Sequence, residues 1–198
     1  MPRPILALLI LLLANMNFAP LLAQNQPKPI SPAQQSAATA AIQPHEAKPA
    51  EVASPDAILA AAYDVISGAA GQERDWDRMR SLFYPGAQLI RTAVKKEGGL
   101  SATFLTPQDY IDRAGSYFKQ NSFFEREVAR HSERWGSIMQ VFSTYESRHD
   151  PKDPAPFARG INSFQLFFDG TRWWIMTIYW AEETPQTPLP PEFLAPSH

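Results

Sequence analysis

The sequence predicts an α+β domain in which a strongly curved, mostly antiparallel sheet is wrapped on about three helices. Three observations carry that prediction. The stretch from Arg159 to Glu183 sets two apolar, aromatic-rich runs around Asp169-Gly170, residues that supply the positive backbone angles of a tight hairpin. Two helix-start signatures, Ser54-Pro55-Asp56 and Thr106-Pro107-Gln108-Asp109, stand upstream of it. From Phe123 onward the chain then reads as strands in succession, so helices come first and the sheet follows.

Ahead of the domain, MPRPILALLILLLANMNFAPLLAQ combines an early cation at Arg3, an apolar run from Ile5 to Leu13 and small residues ending at Ala23. This pattern predicts a signal peptide over residues 1–23 and an exported protein, periplasmic or secreted. Residues 24–53 are rich in Pro, Ala, Gln and Ser and nearly lack large apolar side chains, which predicts a flexible linker.

The first helix is capped by Ser54, with Pro55 in its first turn and Asp56 at the positive end of the helix dipole. Leu59, Tyr63 and Ile66 form its stripe, and Gly68 stops it. A shorter helix begins near Asp75, gathers Trp76, Met79, Arg80 and Phe83, and ends at Tyr84-Pro85-Gly86. Ala87 to Ala93 reads as a strand and Lys95 to Leu100 as a loop or hairpin turn. Thr106 and Asp109 spell a capping box for the third helix, which carries Tyr110, Ile111, Ala114 and Phe118 inward. Two long strands, Phe123 to Arg134 and Ser137 to Arg148, turn at Gly136, and a loop from His149 to Phe157 leads to the aromatic hairpin. In its returning strand Trp173, Ile175, Thr177 and Tyr179 alternate with Trp174, Met176, Ile178 and Trp180, so both faces need cover. A Pro-rich tail over residues 185–198 ends the chain.

Composition narrows the function. At 198 residues, 44% hydrophobic and 19% charged, the chain holds one domain plus appendages. A formal charge of −2 gives no basic field for a phosphate backbone, so nucleic acid is not an expected partner. The absence of cysteine excludes disulfides, thiolate catalysis and lipid attachment at a cysteine.

The order of elements, with RDWDRMRSLFYPGAQLI and the closing GTRWWIMTIYWAEE, resembles the nuclear-transport-factor-2-like superfamily, which includes SnoaL-like and ketosteroid-isomerase-like proteins. The resemblance covers residues 54–184. It implies a cone-shaped fold with a pocket at the open end, and dimers formed through the outer sheet face. It also sets Tyr63 where the isomerase branch has a catalytic tyrosine, but Arg91 where that branch has its basic aspartate, and arginine does not accept a proton at neutral pH. Dehydratase-type relatives pair histidines with an aspartate, whereas only His131 and His149 fall in this region. Glu127 and His131 share strand parity yet stand roughly 13 Å apart along a strand, too far for one metal ion. Neither a metal nor a cofactor is expected.

The residues that remain point to binding. Tyr63, Arg91, Tyr110, Gln165 and Tyr179 are the candidates for a polar spot in an aromatic pocket, where the guanidinium would suit a small anion. Trp174, Met176, Ile178 and Trp180 are the candidates for a homodimer face. The sequence therefore reads as an exported domain that dimerises and captures a small molecule, with no complete catalytic set and no membrane span after signal cleavage. Two alternatives stand beside it: an isomerase, dehydratase or cyclase with Tyr63 as hydrogen-bond donor and Asp64 or Asp109 as acid, and a cell-envelope interaction module.

Overall fold

The computed structural model describes residues 46–95 and 97–195. The expected signal peptide and most of the expected linker lie outside them. Helix α1 (Pro55–Ile66) starts as its sequence directs, with the Ser54 hydroxyl accepting from the Ala57 amide at 3.1 Å. Its Ile58, Leu59, Ala62, Tyr63 and Val65 are buried. Helix α2 (Trp76–Leu82) is capped by Asp75, which accepts from the Arg78 amide at 2.9 Å. Helix α3 (Pro107–Gln120) begins with a reciprocal capping box: the Asp109 amide donates to Thr106 Oγ1 at 3.1 Å and the Thr106 amide to Asp109 Oδ2 at 2.9 Å.

The six strands are β1 (Phe83–Val94), β2 (Leu100–Leu105), β3 (Phe124–Trp135), β4 (Ile138–Arg148), β5 (Ala158–Phe168) and β6 (Trp173–Glu182). They form one open sheet in the order β2-β1-β6-β5-β4-β3, antiparallel throughout except for the parallel pair β1–β6. Two boundaries differ from the sequence reading. Strand β1 starts at Phe83 and absorbs Tyr84-Pro85-Gly86, and β2 is an added strand that pairs with the edge of β1 left free by β6.

The β5–β6 hairpin forms, but its turn centres one residue later than expected. The Asp169 amide donates to the Arg172 carbonyl at 3.2 Å, so Gly170 and Thr171 are the central pair, with Gly170 at φ +100°. Asp169 caps the turn instead, accepting from the Thr171 and Arg172 amides at 2.7 and 2.9 Å and from Trp174 Nε1 at 2.6 Å.

Two β-bulges then reassign faces. Met176 is the extra residue on β6, because Gln165 faces Thr177 while Leu166 faces Ile175. Strict alternation is broken there, so Ile178 and Trp180 join Trp173 and Ile175 on the inner face, and Tyr179 turns outward with Trp174. Val128 is the extra residue on β3, between the pairs Glu127–Tyr145 and Ala129–Thr144. Arg130 thereby joins Glu127 on the inner face and His131 turns outward, which corrects the expected shared parity of Glu127 and His131.

The core lies between α1, α2 and the inner sheet face, where Ile58, Leu82, Val141, Phe164, Leu166 and Ile175 are fully buried. Burial of each such side chain contributes about 2 kcal/mol. A Cβ at Gly160 would stand 2.2 Å from the Ala181 carbonyl oxygen and 2.8 Å from the Tyr145 hydroxyl, so only glycine lets β5 lie under that ring. Packing also extends past the expected domain limits. Val52 is buried and its carbonyl accepts from the Trp173 amide at 2.9 Å. At the other end the tail hugs the outer face, where Thr144 Oγ1 donates to the Phe193 carbonyl at 2.5 Å and His131 Nε2 to the Glu192 carbonyl at 2.7 Å.

Candidate functional site

The end of α1 is stitched to the start of β3, and that seam sets the site. Gly68 and Phe123 exchange backbone hydrogen bonds at 2.7 and 3.0 Å, and the Glu125 amide donates to Ser67 Oγ at 3.0 Å. Arg74 locks the seam from below. Its buried guanidinium donates to the carbonyls of Ile66, Gly68 and Gln72 at 3.0, 2.8 and 2.7 Å and lies 5.1 Å from the centre of the Phe118 ring. Those carbonyls include orphans of the α1 C-terminus, which a guanidinium satisfies without any carboxylate partner.

Above the seam is a cavity of about 490 Å³, bounded by Tyr63 of α1, Met79 of α2, Tyr110 of α3 and the inner sheet face. Nine of its lining side chains are aromatic, which gives it apolar walls with quadrupolar faces. Glu125 and Glu182 are the carboxyls of its lining, and Glu125 is held by hydrogen bonds within it. Ser147 Oγ donates to its Oε2 at 2.8 Å and Asn162 Nδ2 to its Oε1 at 3.3 Å, and among the described residues no basic side chain forms an ion pair with it. Burial pushes the Glu125 carboxyl up to about 7, against the downward pull of its two hydrogen bonds. Burial, and then the charge of Glu125, also push the Tyr63, Tyr110 and Tyr145 hydroxyls up, so all three stay neutral.

Two residues along the same strand, Glu127 is fully engaged. Arg130 donates to its Oε1 from Nε at 2.9 Å and from a terminal nitrogen at 2.6 Å, and Arg130 also pairs with Asp56. Ser143 Oγ donates to the other Glu127 oxygen. The Ser143 proton is therefore committed, so the 2.6 Å contact between Tyr63 and Ser143 has the Tyr63 hydroxyl as donor. Asn162 Nδ2 in turn donates to the Tyr63 oxygen at 3.2 Å. With its proton on Ser143, Tyr63 holds the network together and has no proton to offer the cavity.

Of the five pocket candidates, Tyr63, Arg91 and Tyr110 line the cavity, with Arg91 exposed at its mouth. Gln165 and Tyr179 do not. Both are exposed on the outer face, Gln165 because it alternates with the buried Phe164 and Leu166, and Tyr179 because of the Met176 bulge. Among the dimer-face candidates, Ile178 and Trp180 line the cavity for the same reason. Trp174 faces outward but is already covered, by the Tyr84 ring at 5.6 Å and the Arg172 guanidinium at 3.6 Å, and Met176 is half-buried in the bulge. The sequence reading missed Glu125, Asn162 and Tyr145. Strict alternation through Ser163-Phe164-Gln165-Leu166 places Asn162 inward, so that residue was legible; Glu125, in a charge-dense strand, was not.

His131 and His149, the histidines among the described residues, serve structure. His131 meets the tail, and His149 stacks on Phe157 at 4.2 Å and donates from Nδ1 to the Ser122 carbonyl at 3.1 Å. Among the described residues no cluster of three His, Asp or Glu side chains could hold a metal ion.

Two helices, two strands, a third helix and four strands follow one another along the chain, and all three helices reach a single cavity on one face of an open mixed sheet. That is the order of elements which the resemblance to NTF2-like proteins implies. No family model matches the sequence, and no curated protein does. Solved structures similar to it include an NTF2-like protein of unknown function from Shewanella baltica, 12% identical, covering 78% of this chain and 98% of that one at a TM-score of 0.40. An NTF-2 like protein of unknown function from Silicibacter pomeroyi is 13% identical over 66% of this chain and 94% of that one, TM-score 0.42. A third, from Methylobacillus flagellatus, is 14% identical over 66% and 95%, TM-score 0.42. At TM-scores below 0.5 these likenesses say nothing of what the chain does.

Proposed function

We propose that this NTF2-like domain is a small-molecule binding protein that uses the cavity under α1 and α3. The observation that carries this reading is a space of about 490 Å³ with aromatic walls and a carboxyl lacking an ionic partner, since pockets that hold ligands are mostly apolar with a few convergent polar groups. Trp180 lines the cavity and provides the readout. Titrating the full chain with 4-phenylbutanol should quench or shift its fluorescence saturably, and Ala158→Trp, which fills the mouth, should abolish the effect. Equal binding by that variant would move the site elsewhere.

A second reading concerns the outer face. Phe104, Ile90, Tyr179 and Ser163 form a cross-strand row on it that continues to Phe142 and His131 beneath Phe193 of the tail, and Val94, Leu100, Trp135 and Ile138 stand exposed on the same face. An apolar sheet face of that extent supports a homodimer through it. Light scattering should give twice the chain mass, and Tyr179→Asp should halve it; a wild-type monomer at every concentration removes this reading.

If the domain has an activity, Glu125 rather than Tyr63 is the group fitted to move a proton, because its carboxyl titrates near neutrality and Tyr63 is committed to Ser143. Export rests on residues 1–23, and the N-terminal sequence of the mature protein, expected to begin at Gln24, tests it. Among the described residues no helix is long and apolar enough to cross a membrane.

A further inference from the structure

The charges around the cavity are unequal, and they favour one class of ligand. Arg91 is the guanidinium of the lining, exposed at the mouth, and Glu182 lines the same region. The two act in opposite directions on one group, Tyr145, whose hydroxyl Glu182 pushes up and Arg91 pulls down. Their fields oppose each other at the mouth, and the carboxyl of Glu125 lies farther in without an ionic partner among the described residues. Tyr63 of α1, Tyr110 of α3 and Tyr145 of β4 line the same cavity, and burial, then the charge of that carboxyl, pushes each of their hydroxyls up. Aromatic faces attract cations through their quadrupoles, most strongly where water is excluded.

We propose that the cavity takes an organic cation, an ammonium group carried on an apolar body, with its charge at Glu125 and its body against the aromatic walls. The inference deepens the binding reading above and rests on it. A cation would meet a carboxylate whose ionised form is disfavoured by burial, so binding relieves a penalty that the empty site carries. Tyr110 and Tyr145 make no hydrogen bond within the described protein, and their oxygens are further acceptors for ammonium protons. An anion fits less well, because it would have to pass Glu182 and sit beside Glu125, with Arg91 left at the exposed rim.

The pH dependence follows. The Glu125 carboxyl, pushed up to about 7, loses its charge below that value, and a proton there competes with the ligand. Affinity for a permanently charged ammonium should therefore be flat above pH 8 and fall about tenfold by pH 6. The titratable groups that line the cavity with Glu125 are Tyr63, Tyr110, Tyr117 and Tyr145, with Arg91 of β1 and Glu182 of β6 at the mouth. Behind it a shallow groove holds Asp64 of α1, Arg126 of β3, Glu146 and Arg148 of β4 and Asp153 of the following loop. Asp64 is paired with Arg78, and Glu146 with both Arg126 and Arg148, so they balance one another.

The test is a matched series, 4-phenylbutylamine, 4-phenylbutanol and 4-phenylbutyrate, titrated into the full chain at pH 6 and pH 8 by calorimetry. The expected order at pH 8 is amine, then alcohol, then carboxylate, with the amine preference reduced about tenfold at pH 6. Glu125→Gln keeps one oxygen to accept from Asn162 and an amide that donates to Ser147 Oγ, and it should erase the pH dependence while leaving the alcohol bound. Ser147→Ala removes a hydrogen bond that holds the Glu125 carboxyl down, so it should move the midpoint of amine binding to higher pH. Binding of the alcohol without preference for the amine, or a preference for the carboxylate, overturns the cation inference and leaves the cavity reading intact. An unmoved midpoint in Ser147→Ala also overturns it, and failure of all three compounds to bind overturns both readings.

Discussion

Glu125 and Glu127 lie two residues apart on one strand and one face, yet they inhabit different chemistry. Glu127 is held by Arg130 and Ser143, and Arg130 reaches on to Asp56, so charge and hydrogen-bonding capacity are matched at that end. Glu125 has neutral donors, Ser147 and Asn162, and an open cavity in front of it. The difference comes from backbone geometry. The Val128 bulge carries Arg130 onto the inner face beside Glu127, whereas among the described residues no cation pairs with Glu125. A paired carboxylate steadies the fold, and an unpaired one in a cavity is held ready for something else.

The largest expected effect tests the Glu125 end. In the unfolded chain its carboxyl titrates near 4.5, and in the folded protein near 7, so folded Glu125 holds its proton over a range where the unfolded chain has lost it. Stability contributed by that proton is present below about 4.5 and lost as pH rises to about 7, a change on the order of 3 kcal/mol. Glu125→Gln should therefore stabilise the protein at pH 8 and change little at pH 4, read by urea unfolding at both. A variant equally stable or weaker at pH 8 would erase the contrast between the two glutamates.

Arg130→Ala should come next, a loss of about 2 kcal/mol in the same assay, because it strands Glu127 and Asp56 together. Glu127→Gln keeps an oxygen for Arg130 and an amide that donates to Ser143 Oγ, and it should lose only about 1 kcal/mol. The smallest effect sharpens the comparison most. The two ends meet through the 3.2 Å bond from Asn162 to Tyr63, so a double-mutant cycle of Arg130→Ala and Glu125→Gln should give coupling below about 0.5 kcal/mol. A larger value would mean that the two carboxylates belong to a single network.

Local chemistry made the helices and the hairpins legible. The Ser54 cap, the Thr106–Asp109 capping box and the turn at Gly136 all depend on neighbours within a few residues, and each forms as the sequence spells it. The faces of β3 and β6 were not legible beyond their midpoints, because an inserted bulge residue carries no composition signal. Trp180 and Tyr179 exchanged roles for that reason alone. Glu125 was hidden for another reason: its strand, Phe-Glu-Arg-Glu-Val-Ala-Arg, looks solvated, and only Ser147 and Asn162 arriving from two other strands mark one acid as different. Arg74 likewise gave no warning, since the carbonyls it serves come from a loop whose path no local rule fixes.

The position of β6 has a further consequence, for how the protein is made. The last strand of this sheet to be synthesised stands in its middle, between β1 and β5. Until it leaves the ribosome, the β1–β2 hairpin and the β3–β4–β5 meander are separate fragments, each with a bare edge able to pair with other chains. A truncated product that stops before Trp173 should therefore aggregate rather than fold in part, and the native sheet closes in a late step that joins the two fragments through one ribbon.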